Sequence, residues 1–268
     1  MKKRSLEGPK FGFKLVLGLT CLCLGFFIAT KFLTAITIKP AMIDLPQAED
    51  RWVAFYDYQQ KEIVKVFVRE QTKIGISQIP TILQRTFVKV KDTHFYNHNR
   101  SIIELYNVFI AEVKAFFGLN ELGQYNRDIS ATLAHNIFLI RKKALPQRLD
   151  EAILAYRIER KYRKEEILEC YLNNIYFGEG TFGVEAAASY YFGKNAFTLQ
   201  PQEIAFLTCL ATDTLSPEIY KKEQLLQNPK IVKSYRNQVL DQMASWGVLT
   251  LKQAEEYKRK SLGIAIYK

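Results

Sequence analysis

Residues 164–194 read KEEILECYLNNIYFGEGTFGVEAAASYYFGK and carry the densest structural signal in the chain. Ile167, Leu168, Tyr171 and Leu172 fall on one face at helical spacing. Upstream, Ile153, Leu154, Tyr156 and Ile158 repeat that spacing, so two amphipathic helices are expected with a break near Arg163. Downstream, Gly178, Gly180 and Gly183 permit tight turns before a helix of small residues that allows close packing. These glycines form no phosphate loop, since neither G-x-x-x-x-G-K-[ST] nor a strand-linked G-x-G-x-x-G is present.

Working outward, 199–210 and 232–246 read as further helices, and no repeat is visible. Towards the amino terminus, Pro80 opens a helical stretch, PTILQRTFVKV, and 101–117 is a helix with a greasy side broken only by Glu104, Glu112 and Lys114. Such a face suits an ordinary core or a bilayer surface. RWVAFYDY and EIVKVFVRE alternate around Gln59, Gln60 and Lys61 and read as a β-hairpin. The fold class is therefore mostly α with one amino-terminal hairpin.

The 268 residues are 48% apolar and 24% charged with only 13 Gly and 8 Pro, which excludes disordered and collagen-like chains and leaves ample area for a core. Four Cys imply no disulfide framework. Cys170 sits among apolar neighbours as a buried small hydrophobe would, and its spacing from Cys209 carries no geometry. The net charge of +11 is concentrated in the first forty residues. It is compatible with anionic lipid, pyrophosphate or nucleic acid.

Residues 15–30 carry no charge, and FLTAITI extends the apolar run past Lys31 to Ile38. Together they reach the roughly 20 apolar residues of a membrane span. Basic residues precede it, so the amino terminus is expected in the cytoplasm and the folded part outside. No small-x-small cleavage site closes the run, so an uncleaved anchor is expected rather than a removed peptide. The domain plan is a basic tail at 1–14, an anchor at 15–38, a linker at 39–50 and a folded domain at 51–268.

Residues 164–194 closely resemble the segment that marks the family-51 peptidoglycan glycosyltransferases, found in monofunctional enzymes and class A penicillin-binding proteins. The resemblance continues through Arg148 and Glu151, LAHNIFL at 133–139 and DTHFYNH at 92–98 to the hairpin, covering roughly 50–220. It implies a lysozyme-like, mostly helical domain on one amino-terminal transmembrane helix at the bacterial cytoplasmic membrane. Its partners would be lipid II or a glycan strand, the membrane, touched by 101–117, and cell-wall synthesis proteins. The family's reaction polymerises lipid II: a sugar hydroxyl attacks the anomeric carbon of the growing strand and displaces undecaprenyl pyrophosphate. That chemistry needs a carboxylate to take the acceptor proton and cationic or hydrogen-bonding groups for the pyrophosphate. The sequence requires no cofactor, though a divalent cation at the pyrophosphate is compatible with the chemistry.

The family's first motif, E-D-x-x-F-x-x-H-x-G, begins with the general base. Here Lys91 stands in that place, Asp92, Phe95 and His98 match, and Arg100 replaces the glycine. A lysine next to Asp92 is held in its charged form and makes a poor base. Of the second motif, G-x-S-T-I-T-Q-Q-L-x-K-N, Ile129, Leu133 and Asn136 match, Ser130 keeps a hydroxyl and His135 replaces the pyrophosphate-binding lysine. The third, R-K-x-x-E, keeps Arg148 and Glu151. Read without the resemblance, Glu151 is an exposed acid near a helix amino end, where the macrodipole favours it; with the resemblance, it lines the site. The fourth, around Tyr171, Asn173, Asn174 and Gly178, is nearly intact and chiefly holds the fold.

The candidate site residues are thus Glu151, Asp92 and Lys91 for catalysis, with Lys91 marking the missing base, and His98, Ser130, His135, Asn136 and Arg148 for substrate. His94, His98 and Asp92 have a spacing that metals sometimes use, but the family position of His98 accounts for it and no metal is expected. Arg141, Lys142 and Lys143 suit a solvated turn or an anionic surface. Export excludes nucleic acid, no G-x-S-x-G supports a serine hydrolase, and 220–268 is too short for a transpeptidase domain, so no bifunctional protein is expected. Two functions are expected to compete. One is a non-catalytic relative that binds lipid II, glycan or a wall-synthesis partner; the other is a divergent polymerase with Glu151 or Asp92 as base.

Overall fold

The computed structural model describes Thr30 and residues 51–56, 62–68, 73–98, 100–116, 127–139, 147–211 and 228–265. The chain divides into two compact units, Met1–Asp44 and Leu45–Lys268. Apart from Thr30, the expected tail, anchor and linker lie outside the described residues, as does the 141–143 basic cluster. Among the described residues, no helix is long and apolar enough to cross a membrane.

Strands β1 (Arg51–Tyr56) and β2 (Glu62–Val68) pair antiparallel, with Val53 opposite Val66 and an irregularity between Phe55 and Tyr56. The rest is helical: α1 (Thr81–Lys91), α2 (Ile102–Phe116), α3 (Ile129–Ala134), α4 (Gln147–Lys161), α5 (Lys164–Asn174), α6 (Val184–Phe192), α7 (Pro201–Ala211), α8 (Pro229–Ser245) and α9 (Leu251–Arg259). The break between α4 and α5 falls where the periodicity placed it, and Arg163 is the N-cap of α5. Its N–H donates to Glu166 Oε2 at 2.8 Å, which meets one of the orphan donors of a helix start.

Helix α7 forms the centre. Its residues Pro201 to Leu210 are all buried, as expected of a helix that is apolar nearly all round. Around it α1 contributes Phe87, which meets Tyr171 and Phe177 edge-on with centroids 6.5 and 6.1 Å apart. Tyr191 of α6 meets Phe206 at 5.5 Å and donates its hydroxyl to Phe177 O at 2.7 Å.

The α5–α6 turn is where the intact motif acts. Phe177 N donates to Thr181 O, and Gly183 N donates back to Ile175 O, each at 2.9 Å. Gly183 has φ +84° and ψ 151°, a region open essentially to glycine alone. Asn173 does the other half of the work. Its amide accepts from Ile74 N at 3.1 Å and donates to Ile74 O at 2.9 Å, pairing with that backbone as a strand would. Asn173→Ala should lower stability by about 2 kcal/mol, because it leaves a buried N–H and a buried C=O without partners. The shift of the urea midpoint measures it, and a change under about 0.5 kcal/mol would show that the pairing is dispensable.

Arg236 of α8 is fully buried. It donates to the carbonyls of Lys258, Lys260 and Ser261 at 2.9–3.0 Å and to Asn237 Oδ1, closing the carboxy end of α9. Nearby Cys209 is buried and its thiol is pushed up to about 12 by burial. Neither Cys170 nor Cys209 is in a disulfide. Cys170 is half-buried rather than sealed in the core as expected, and its sulfur accepts from Asn174 Nδ2 at 3.4 Å. The i, i+4 position of Asn174 on the same helix supplies that polar contact.

Candidate active site

The first-motif residues straddle the end of α1. Lys91 is the last residue of that helix, half-buried, and with Lys89 it meets the negative end of the helix dipole. The chain then turns through Asp92, whose N–H donates to Val88 O at 2.8 Å and whose Oδ1 accepts from His94 N at 3.2 Å. His94 is exposed, and its carbonyl lies 3.0 Å from His98 Nδ1, which orients the imidazole towards Asp92 at 3.9 Å. Burial raises the Asp92 carboxyl above its ordinary value, the charge of Asp128 adds to this, and His98, the His94 amide and Lys164 oppose it.

Arg100, in the place of the family's glycine, reaches in two directions. Its guanidinium pairs with Asp128, and its backbone N–H donates to Glu159 Oε2 at 3.0 Å. Glu159 on α4 is buried and also takes Lys164 Nζ at 3.1 Å. Burial pushes the Glu159 carboxyl up, but the hydroxyl of buried Ser130, the Arg100 amide and Lys164 outweigh it and hold it below its usual value. Lys164 also sits 4.8 Å from the Phe95 ring centroid. Asp128 is the N-cap of α3, accepting from Ala131 N at 2.8 Å.

Glu151 lies in a second network. Its side chain is 0% exposed, which overturns its reading as a surface acid at a helix start. Arg127 grips it with both arms, Nε to Oε2 at 2.8 Å and Nη2 to Oε1 at 3.0 Å. His135 Nδ1 adds a third contact to Oε1 at 2.8 Å. His135 and Asn136 belong to a single π-helical turn, His135–Leu139, that continues α3. That turn aims His135 at α4, on which Glu151 sits four residues after Gln147. Arg148 is half-buried in the first turn of α4, and Asn136 is half-buried in the π turn.

The structure thus sorts the candidates into two networks, Glu151 with His135 and Asp92 with His98, while buried Ser130 belongs to neither. Arg127, Asp128, Glu159 and Lys164 were not singled out from the sequence. A usable signal existed for one pair: under the motif alignment expected from the sequence, Arg100 and Asp128 fall at glycine and threonine positions and carry opposite charges. Glu151 is thus held at both oxygens and cut off from solvent. Asp92 Oδ2 and Glu159 Oε1 are the carboxylate oxygens of this region that are buried without a hydrogen-bond partner, and of the two Glu159 faces Arg100 Nε at 3.6 Å.

A family pattern described as Transglycosylase matches residues 59–244. Penicillin-binding protein 1A of Aquifex aeolicus is 31% identical over 259 residues, covering 94% of this chain and 34% of its own length. Penicillin-binding protein 1F of Bacillus subtilis is 30% identical over 214 residues, covering 79% and 28%. Penicillin-binding protein 1A of Escherichia coli is 28% identical over 258 residues, covering 92% and 28%. A solved structure of penicillin-binding protein 1A from Haemophilus influenzae aligns with a TM-score of 0.42 at 18% identity, over 84% of this chain and 22% of that one. The chain spans about a third or less of the length of the curated relatives it matches. With that match running from the hairpin into α8, the chain belongs to the transglycosylase family, the family-51 peptidoglycan glycosyltransferases.

Proposed function

We propose that this chain acts in cell-wall synthesis as a membrane-anchored transglycosylase domain whose polymerising chemistry is impaired, and that it binds lipid II, nascent glycan or a wall-synthesis partner. The observation that carries the reading is that both carboxylates the reaction would draw on are lost to it. An ammonium, Lys91, stands where the family has its base. Glu151, the natural substitute, is buried and held by Arg127 and His135. A missing general base lowers the rate by about 10²–10⁴. Residues 15–38 anchor the domain with its amino terminus in the cytoplasm and its folded part on the outer side of the bacterial cytoplasmic membrane. On α2, Ile102, Ile103 and Tyr106 are exposed while Leu105 is buried, an apolar surface suited to the bilayer interface and its lipid-linked ligand.

The test is lipid II polymerisation by the full-length chain in detergent, beside direct lipid II binding. The expected result is binding without product from the unmodified chain. Product from Lys91→Glu would show that only the base is missing. Robust polymerisation by the unmodified chain would overturn the proposal, and its loss in Asp92→Asn would assign the base role to that carboxylate.

A further inference from the structure

Asp92, His98 and Asp128 each present one donor atom, and the three atoms lie within 4.8 Å of one another. Donors around a small divalent cation at 2.0–2.2 Å sit about 3–4.3 Å apart, so a closing movement of about half an ångström would complete the set. Proximity alone would not make a site. The Asp92 side chain, however, is only 8% exposed, and its Oδ2 is buried without a hydrogen-bond partner. A carboxylate oxygen sealed in this way has given up solvation without a protein donor in return, and it is open to a cation.

The surrounding charges leave room for one. Arg100 offsets the charge of Asp128, and Lys164 is shared with Glu159 at 3.1 Å. Each oxygen of Asp128 has one donor, Ala131 N or Arg100, and each oxygen offers a second lone pair. Asp128 also stands where the family's pattern has threonine, so the three-residue set is this chain's own rather than inherited.

We infer that Asp92, His98 and Asp128 form a binding site for a divalent first-row metal cation of the Zn²⁺ or Mn²⁺ class. One imidazole with two carboxylates is the donor set these ions favour over the all-oxygen shells of Mg²⁺ and Ca²⁺, and water completes the coordination. The inference does not rest on the proposed function: the site exists whether or not lipid II is polymerised.

The test is a titration of the chelator-treated full chain in detergent with MnCl₂, followed by electron paramagnetic resonance of free Mn²⁺, with ZnCl₂ as competitor. One Mn²⁺ per chain, displaced by Zn²⁺, is expected. His98→Gln and Asp92→Asn should each weaken binding by at least about tenfold. Asp128→Asn keeps the helix cap, since asparagine caps as well as aspartate, and should weaken binding too. No saturable binding below about 1 mM, or an affinity in His98→Gln and Asp92→Asn unchanged from that of the unmodified chain, overturns the site. Should those variants fail to fold by circular dichroism, the unfolding temperature of the unmodified chain decides. A rise with ZnCl₂ and not with MgCl₂ supports the site, and no rise overturns it.

Discussion

Gly183→Ala is expected to remove at least about 3 kcal/mol of stability, lowering the melting temperature by roughly 6–12 °C. Two causes add. At φ +84° and ψ 151° an alanine is strained by about 1–3 kcal/mol whatever surrounds it. A Cβ there would also lie 2.6 Å from Asn173 O, a backbone atom that cannot swing aside as a side-chain tip would. Asn173 is itself pinned to Ile74, so relief of the clash would pull on the strand-like pairing below. Gly180 is the internal control. It also has positive φ, +69°, yet nothing lies within 4 Å of its Cβ position. Gly180→Ala should therefore cost only about 1 kcal/mol. Thermal unfolding of both variants separates the two causes, and equal losses would show that the contact with Asn173 has no energetic weight.

Glu151→Ala is expected to destabilise by about 3 kcal/mol, because it strands partners that were arranged around a buried anion. The figure is at the lower end of the range for broken buried pairs, since the Arg127 side chain is 39% exposed and water takes back part of its charge. Arg127→Ala with Glu151→Ala should then cost less than the sum of the two single changes, with a coupling above about 1 kcal/mol. Urea unfolding of the four proteins measures it. A carboxylate that merely lined a catalytic groove would behave differently: its removal would leave stability within about 0.5 kcal/mol and act on turnover alone.

The helical frame could be read from spacing because α4 and α5 each bury a face whose residues recur locally, and α7 is apolar nearly all round. Helix α9 is not singled out by the sequence reading, since LKQAEEYKR is short and strongly polar and buries only Ala254. Its start was nonetheless marked by Thr250 and Gln253, a reciprocal cap visible as T-x-x-Q. The site was legible only as positions. The motif alignment supplies the expectation that Lys91 stands at the position of a base, but the burial of Glu151 depends on Arg127 and His135, which pair with it across 24 and 16 residues. No local pattern reveals that an acid in QRLDEAIL points inward, because charge pairing across distant helices leaves no periodic trace. The same holds for Arg100 and Asp128, 28 residues apart.

Arg236 has a bearing on where the module ends. The family match stops at residue 244, yet the guanidinium sealed inside α8 has its acceptors at Lys258, Lys260 and Ser261. Ala265 N then ties to Tyr191 O at 2.7 Å, and Gly263 lies against Glu203. A chain trimmed at the family boundary would strip the Arg236 guanidinium of its three backbone acceptors and leave it Asn237 Oδ1. The self-sufficient unit therefore runs through residue 265, and the stretch beyond the shared pattern is a keystone rather than an overhang.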